Sequence, residues 1–464
     1  MRYSSSTVWK KPNCPVRSVL RGRIRTRWAT TSGPVSGWRY VPLSRKDLAL
    51  GLREKLEALA RSGTPIRVGV VGVGQMGRGF IAQTATIPGL EVVAAADVRP
   101  ERARTALQEA GYEPGEGVPG FTGDALEVAR SEVVDVLVEA TGVPDVGARV
   151  AYEAIHSGRH VVMLNAEADV TVGAVLSQMA RSAGIVYTGS AGDEPGAIME
   201  LYDFARSLGF EVVTLGKGKN NPLDVAATPD SLAREAKERG MNPKMLASFV
   251  DGTKTMVEMA AVANATGFAP DTPGMHGIKE AEPARLAAIL CPREEGGILA
   301  APGAVEYVRG VAPGVFAVVR SDVGPVRETL RYLGLGEGPN HVLYRPYHLT
   351  SLETAISVAR AAIYGEPTIA PRPTPAAEVV AVAKRDLAAG ELLDGIGGAD
   401  YYGFLYAVSE ARDMLPIGLA QGARIVHPVK RGAVIPRSAV ELSGDSFVVR
   451  LRRLQEALVG GGTA

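Results

Sequence analysis

Two lysines one glycine apart, Lys217 and Lys219 in LGKGKNNPLD, leave the apolar stretch EVVT where a turn is expected. As alternate residues of a strand they share one face, and Gly218 between them opens the other face to close backbone approach. Two ammonium groups held together suit an anionic small molecule, or one of them suits protonating a carbonyl oxygen during its reduction. Upstream, LNAEADV and GSAGDEPG place Asn165, Glu167, Asp169, Asp193 and Glu194 just beyond candidate strand ends. Carboxylates there serve as general acids or bases, as helix caps, or as ligands of a hard cation such as Mg2+ or Mn2+, for which Asp193 and Glu194 are the candidates. Downstream, Asp251, Lys254 and Glu258 fall at i, i+3 and i+7 of PKMLASFVDGTKTMVEMAAVANATG, an acid-base stripe on an otherwise apolar helix that Gly267 is expected to stop. YRPYHL adds Arg345, a candidate anion binder, with Tyr347 and His348; His156 and His160, on either side of SGR, read as surface residues.

A second constellation lies nearer the N-terminus. Gly72-Val73-Gly74-Gln75-Met76-Gly77 follows the buried-strand run IRVGVV and opens a helix, and a second strand, LEVVAAADVRPERA, ends in Asp97 about twenty residues on. The chemistry needs each part. Gly72 permits a tight turn, Gly74 lets backbone approach a diphosphate, and Gly77 lets the helix pack on its strand. Gln75 and Met76 then stand at a helix N-terminus that faces the phosphate charge. Asp97 is placed to bond a ribose 2′-hydroxyl, which favours NAD, whereas Arg99 and Arg102 are placed to pair with the 2′-phosphate of NADP. Thr141 and Gly142, in EATG, with Asn165 after the next strand, fall where a nicotinamide ring would approach.

The elements that must hold these residues follow from the alternation of apolar runs with amphipathic segments. VDVLVEATG, HVVMLNAE and GIVYTGSAG continue the strand series, each separated by a helical length, which describes a doubly wound parallel sheet. At 464 residues the chain exceeds one ordinary core. The expected divisions are a basic, disordered or spuriously translated extension over residues 1–40 and a Rossmann domain over 41–215. An α+β substrate and oligomerisation domain over 216–363 follows, then a proline-rich linker over 364–376 and a small β module of short strands over 377–464.

Composition narrows the class. Net charge is +1, but residues 1–40 hold nine Lys or Arg and no acid, leaving −8 on the remainder, which gives no general attraction to nucleic acid. The two cysteines, Cys14 and Cys291, form no metal or redox spacing, and a reducing, cytoplasmic setting is expected. No apolar run reaches the length of a membrane span.

The motifs VMLNAEADVTVG, GDEPG, GKGKNNP, SFVDGTKTMVEM and YRPYHLTSLE resemble the homoserine dehydrogenase superfamily. Within it they are most similar to the 1-deoxy-D-xylulose 5-phosphate reductoisomerase-like oxidoreductases. The resemblance implies NADP, a phosphorylated or polyhydroxylated ketose-like substrate, a possible divalent metal, and a C-terminal β-clip of the SAF type. It also implies an aspartate paired with a helical lysine, matched here by Asp251 and Lys254 at a spacing shorter by a residue. One departure bears on substrate: homoserine dehydrogenases carry an Asn-Lys pair where this chain has Asn165-Ala166.

The expected protein is thus an NAD(P)-dependent oxidoreductase, a homo-oligomer acting on a small anionic substrate. Lys254 or Lys219 protonates or stabilises the alkoxide, Asp251 orients Lys254, Lys217 adds charge, and Glu194 acts as acid/base or metal ligand. The alternatives are an amino-acid semialdehyde oxidoreductase of the homoserine dehydrogenase type, which a substrate panel separates, and a non-catalytic nucleotide-sensing or carbohydrate-binding protein. The last would bind coenzyme without exchanging hydride.

Overall fold

The computed structural model describes residues 51–113 and 120–460. The basic extension expected over 1–40 and the first ten residues of the expected Rossmann domain lie outside the described residues. Strands β1 (Ile66–Val71), β2 (Leu90–Ala96), β3 (Gly120–Thr122), β4 (Val136–Glu139), β5 (His160–Met163) and β6 (Tyr187–Gly189) form one parallel sheet in the order β3-β2-β1-β4-β5-β6. Alternate residues feed opposite faces. Val68, Val70, Val136, Val138 and Val162 pack with Phe80 and Ile81 of the Gln75–Thr84 helix. Val71, Leu137, Val161 and Met163 pack with Ala148, Ala151 and Leu176 from the Pro144–His156 and Ala166–Ser182 helices. The strand order reverses between β1 and β4, so the crevice at that sheet's carboxyl edge is where such folds place a nucleotide.

A second, mixed sheet holds β7 (Glu211–Lys219), β8 (Ala269–Pro270), β10 (Ala304–Arg309), β11 (Val315–Arg320) and β12 (Asn340–Arg345) in the order β12-β11-β7-β10-β8, with β9 (Ile278–Lys279) also on β10. The division expected at 215/216 cuts through β7. That strand belongs wholly to the second sheet: β11 pairs with it from Glu211 to Lys217, and β10 from Thr214 through both lysines. The Thr354–Tyr364 helix, expected in the second domain, instead covers the first sheet with Ala355, Val358 and Ala359.

Two further expectations change. The apolar segment 243–267 is two helices, Pro243–Val250 and Thr253–Thr266, because Gly252 at φ +90° turns the chain between them; Gly267 at φ +84° ends the second. The proline-rich segment is a fixed strap and no free linker. Thr368 and Ile369 donate their N–H groups to Thr188 Oγ1 at 2.9 and 3.2 Å, Ile369 O accepts from Gly189 N at 2.8 Å, and Arg372 N donates to Asn264 O at 2.8 Å.

Beyond the strap, β13 (Ala377–Ala383) pairs antiparallel with β14 (Tyr401–Ala407), and β15 (Arg424–Ile425) with β16 (Val440–Glu441). The expected β module does not run to the end of the chain. Residues Phe447–Gly460 form a helix that docks on the Ala166–Ser182 helix, where Gln455 Oε1 accepts from Val175 N at 3.1 Å and Arg452 donates to Thr171 O. Val448, Val449 and Leu451 join the core shared with the first sheet, so this C-terminal segment is not a detached unit. A SAF-type β-clip is not shown by these two short sheets and a helix. Among the described residues no helix is long and apolar enough to cross a membrane.

Candidate active site

The glycine turn after β1 is built by exclusion of side chains. Gly72 sits at φ +89°, and a Cβ there would lie 2.6–2.7 Å from the backbone of Ala140 and Thr141. At Gly77 a Cβ would lie 2.0 Å from Gly72 O, so only glycine lets the helix close on the turn, while at Gly74 a Cβ would meet nothing. Gln75 and Met76 open the helix behind Gly74, its N-cap. Asp97 ends β2 and ties the turn down: Oδ2 accepts from Val73 N and Oδ1 from Arg99 N, each at 2.9 Å. The Arg99 and Arg102 side chains are exposed nearby.

Thr141, at the end of β4, donates its hydroxyl to Glu139, whose Oε1 also accepts from Thr141 N at 2.9 Å. Glu139 is fully buried, and burial, opposed by those Thr141 bonds, raises its pKa to about 7. Asn165 is also fully buried. Its Nδ2 donates to Val143 O at 3.1 Å and its Oδ1 caps the following helix at Ala168 N, 3.1 Å. The expectation that Asn165 touches the coenzyme is therefore corrected: its amide is spent inside the protein, where it braces the loop carrying Thr141 and the exposed Gly142.

The charged residues converge between the two sheets. Lys217 on β7 places Nζ 2.5 Å from Glu194 Oε1 and also donates to Glu258 Oε2. Lys254 Nζ lies 3.7 Å from Asp193 Oδ2, 3.7 Å from Glu258 Oε1 and 4.0 Å from Glu167 Oε1. Asp193 and Glu194 begin the Glu194–Ser207 helix beyond β6, and Lys254 and Glu258 stand one turn apart on the Thr253–Thr266 helix. His348, from the loop after β12, joins with Nε2 at 3.5 Å from Glu194 Oε1 and Nδ1 bonded to Gly192 O at 3.1 Å. Glu139 and His348 went unselected as site residues from sequence. An acid at a strand end, as Asp97 stands after β2, was the available signal for the first; the second is named with YRPYHL but given no role.

Burial and pairing set the charge states. Burial pushes Lys217 down, but Glu194 and Glu258 outweigh it and hold the ammonium above its usual range. Lys254 is likewise lowered by burial and raised further by Asp193, Glu167 and Glu258. Burial acts against Glu194 ionising, yet Lys217 and His348 keep its carboxyl below the ordinary carboxylate range. Burial and then Glu194 push Glu258 up to about 8, against the pull of both lysines, and burial raises Asp193.

Other expected partners lie elsewhere. Lys219 shares the face of Lys217 but donates to Phe249 O at 2.5 Å; burial, then Lys217, lower its pKa to about 8. Gly218 admits the Val311-Ala312 backbone, as a Cβ there would lie 2.3 Å from Ala312 N. Asp251 does not orient Lys254 directly. Gly252 takes it off the helix, and its Oδ2 pairs with Lys384 at 2.8 Å. Arg345 is paired at 2.8 Å with Glu200 and 2.7 Å with Glu353, so its guanidinium is already committed to carboxylates. His160 opens β5, buried, with Nδ1 accepting from Val186 N at 3.0 Å, and burial lowers its pKa to about 4; of the pair, His156 alone is exposed. Asp169 accepts from Tyr187 O–H at 2.8 Å, away from the lysines.

Asp193, Glu194 and Glu258 each offer an oxygen, all within 4.8 Å of one another, which is the spacing of a cation site. A divalent cation there would compete with two ammonium groups for the same oxygens. Lys217 and Lys254 already supply two positive charges to these same carboxylates. At about 4 Å a divalent ion would repel each ammonium by roughly 8 kcal/mol at an effective dielectric near 20.

Residues 66–163 match the family model "Oxidoreductase family, NAD-binding Rossmann fold", and residues 192–354 match "Oxidoreductase DRL, catalytic domain". No curated protein matches the chain in sequence. Among solved structures it is similar to a probable dehydrogenase from Thermotoga maritima (15% identity, 65% of this chain and 90% of that one, TM-score 0.39). It is also similar to UDP-N-acetylglucosamine 3-dehydrogenase GnnA from Acidithiobacillus ferrooxidans (17%, 66% and 91%, 0.37) and to myo-inositol 2-dehydrogenase from Lactobacillus plantarum (15%, 65% and 91%, 0.37). Likeness at that level says nothing about this chain's substrate. The two family matches make the chain an NAD(P)-dependent oxidoreductase.

Proposed function

We propose that this oxidoreductase exchanges hydride between a nicotinamide coenzyme and a small, polar, anionic carbonyl compound of the sugar-phosphate type, with Lys254 facing the reacting oxygen. The observation that supports this most is Lys254 itself: an ammonium kept charged among Asp193, Glu167 and Glu258, between the carboxyl edge of the Rossmann sheet and the second sheet. The coenzyme supplies or takes the hydride. Gly72, Gly74, Gln75, Met76 and Gly77 receive its diphosphate, Asp97 its adenosine ribose, and Thr141 and Gly142 border its ring.

As negative charge develops on the carbonyl oxygen, the Lys254 ammonium stabilises it, an effect that grows with exclusion of water. Lys217 holds Glu194 and Glu258 in place, and Glu258, with its proton retained to about pH 8, restores a proton that Lys254 releases. The preference for a sugar-phosphate-like substrate over homoserine rests on sequence resemblance and on Ala166 in place of the lysine. NAD is favoured over NADP by Asp97, against the resemblance.

The test is a panel of ketose phosphates, inositols and amino-acid semialdehydes offered with NADH and NADPH. Lys254→Ala should abolish turnover of whichever compound wild type reduces, while NADH affinity by fluorescence titration is retained. Turnover at the wild-type rate removes Lys254 from the mechanism, and coenzyme binding with no hydride exchange favours the nucleotide-sensing alternative.

A further inference from the structure

Lys384, just beyond the end of β13, is a buried cation that the proposed chemistry does not use. Its side chain is 2% exposed; its Nζ donates to Ala227 O and Gly398 O, each at 2.7 Å, and forms an ion pair with Asp251 Oδ2 at 2.8 Å. Asp251, with a wholly buried side chain, returns Oδ1 to Thr253 N at 2.8 Å. The next residue is Lys254. From β14, Gly403 N donates to Thr253 Oγ1 at 2.8 Å, and a Cβ on Gly403 would lie 3.1 Å from Thr253 Cγ2. The C-terminal hairpin therefore grips, by one side chain and one backbone amide, the Asp251-Gly252-Thr253 turn from which Lys254 springs.

We propose that Lys384 is a positioning residue for Lys254, and that the C-terminal segment completes the catalytic centre by fixing this turn. Gly252 at φ +90° gives the turn little stiffness of its own, since glycine reaches many other conformations at low cost. Asp251 is oriented by its hydrogen bond from Thr253 N and its ion pair with Lys384, and a buried carboxylate deprived of its cation has strong reason to reorient. Lys254 sits in the helix's first turn, so a small rotation there moves its Nζ away from carboxylates that it meets at 3.7–4.0 Å. This inference rests on the reading of Lys254 as the group that faces substrate.

The experiment compares wild type with Lys384→Met and with Lys384→Met/Asp251→Leu. The second replaces both charges by apolar groups and so guards against misfolding of the first. Acetic anhydride labelling at Lys254, read by mass spectrometry against exposed Lys279 as internal reference, should rise about tenfold in both, the consequence of one pKa unit lost by an ammonium freed from its carboxylates. Peptides spanning residues 251–258 should exchange deuterium faster while those of β1 and β4 do not. On the panel compound that wild type turns over, kcat should fall with the NADH dissociation constant unchanged. Lys254 labelled at the wild-type rate in the folded double variant overturns the proposal. A response in labelling and exchange from a wild type that turns over no panel compound upholds the clamp and removes the enzymatic reading alone.

Discussion

Removing the Lys217 ammonium should produce a stability defect that depends on pH in a direction fixed by its two partners. In the wild type Glu194 is held below its ordinary range, so its contribution is present above the unfolded carboxylate pKa of about 4.3 and is lost only as pH falls through the folded value. In Lys217→Met the nearest cation is gone, burial dominates, and the folded pKa moves above the unfolded one. The variant's penalty is then absent in acid and grows as pH rises, by at most about 1.4 kcal/mol per pH unit per carboxylate. Glu258 adds little to the difference below about pH 8, because it keeps its proton in both proteins. Breaking a buried pair from one side costs about 3–5 kcal/mol. Urea unfolding at pH 8 should show a deficit of that size, and at pH 5 a smaller one, because the wild-type contribution is already complete there while the variant's penalty has only begun to grow. Lys217→Met/Glu194→Gln should recover most of the loss. A deficit that is the same at both pH values, or that stays below about 1 kcal/mol at pH 8, refutes the charge assignment.

Gly72→Ala forces a side chain into the left-handed region at about 1–2 kcal/mol and against the Thr141 backbone. NADH binding should weaken by about tenfold or more in isothermal titration; unchanged affinity would place the diphosphate elsewhere. Asp97→Ala should move the ratio of NADPH to NADH dissociation constants toward NADPH by about tenfold, and a constant ratio would assign coenzyme choice to other residues. Glu139 binds more protons folded than unfolded between about pH 4.5 and 7, so it makes stability fall as pH rises through that window, by up to about 3 kcal/mol. Glu139→Gln should flatten the wild-type decline in unfolding free energy between pH 5 and 8, measured by denaturation; a parallel curve would show Glu139 ionised throughout.

Short-range patterns in the sequence foretell the β1 turn, the strand alternation and the stop at Gly267, because each is governed by residues within a turn or two of one another. The break at Gly252 escapes such reading: the apolar spacing runs on through it, and an internal glycine in a helical pattern costs only about 1 kcal/mol. Asp251's partner illustrates the deeper limit, since no local feature links it to Lys384 far along the chain. His160 misleads for a related reason. The strand begins one residue earlier than its apolar run, so a titratable ring lands inside. The final helix was within reach, because Val448, Leu451 and Gln455 recur at helical spacing in FVVRLRRLQEAL, but the glycines and prolines before it suggest continued β structure. Among the charged residues, strand and helix periodicity groups Lys217 with Lys219 and Lys254 with Glu258. Which cation meets which acid is decided only by the packing of the two sheets.

The path of the polypeptide has a mechanical consequence. It leaves the nucleotide sheet after the Glu194–Ser207 helix and returns with Thr354–Tyr364. It then departs along the strap into β13 and returns again to seat Phe447–Gly460 on the nucleotide sheet's helices. A structure laced in this way resists clamshell opening, because every lacing would have to stretch together. Truncation from the C-terminus should therefore unpick the nucleotide half as well as the half from which residues are removed.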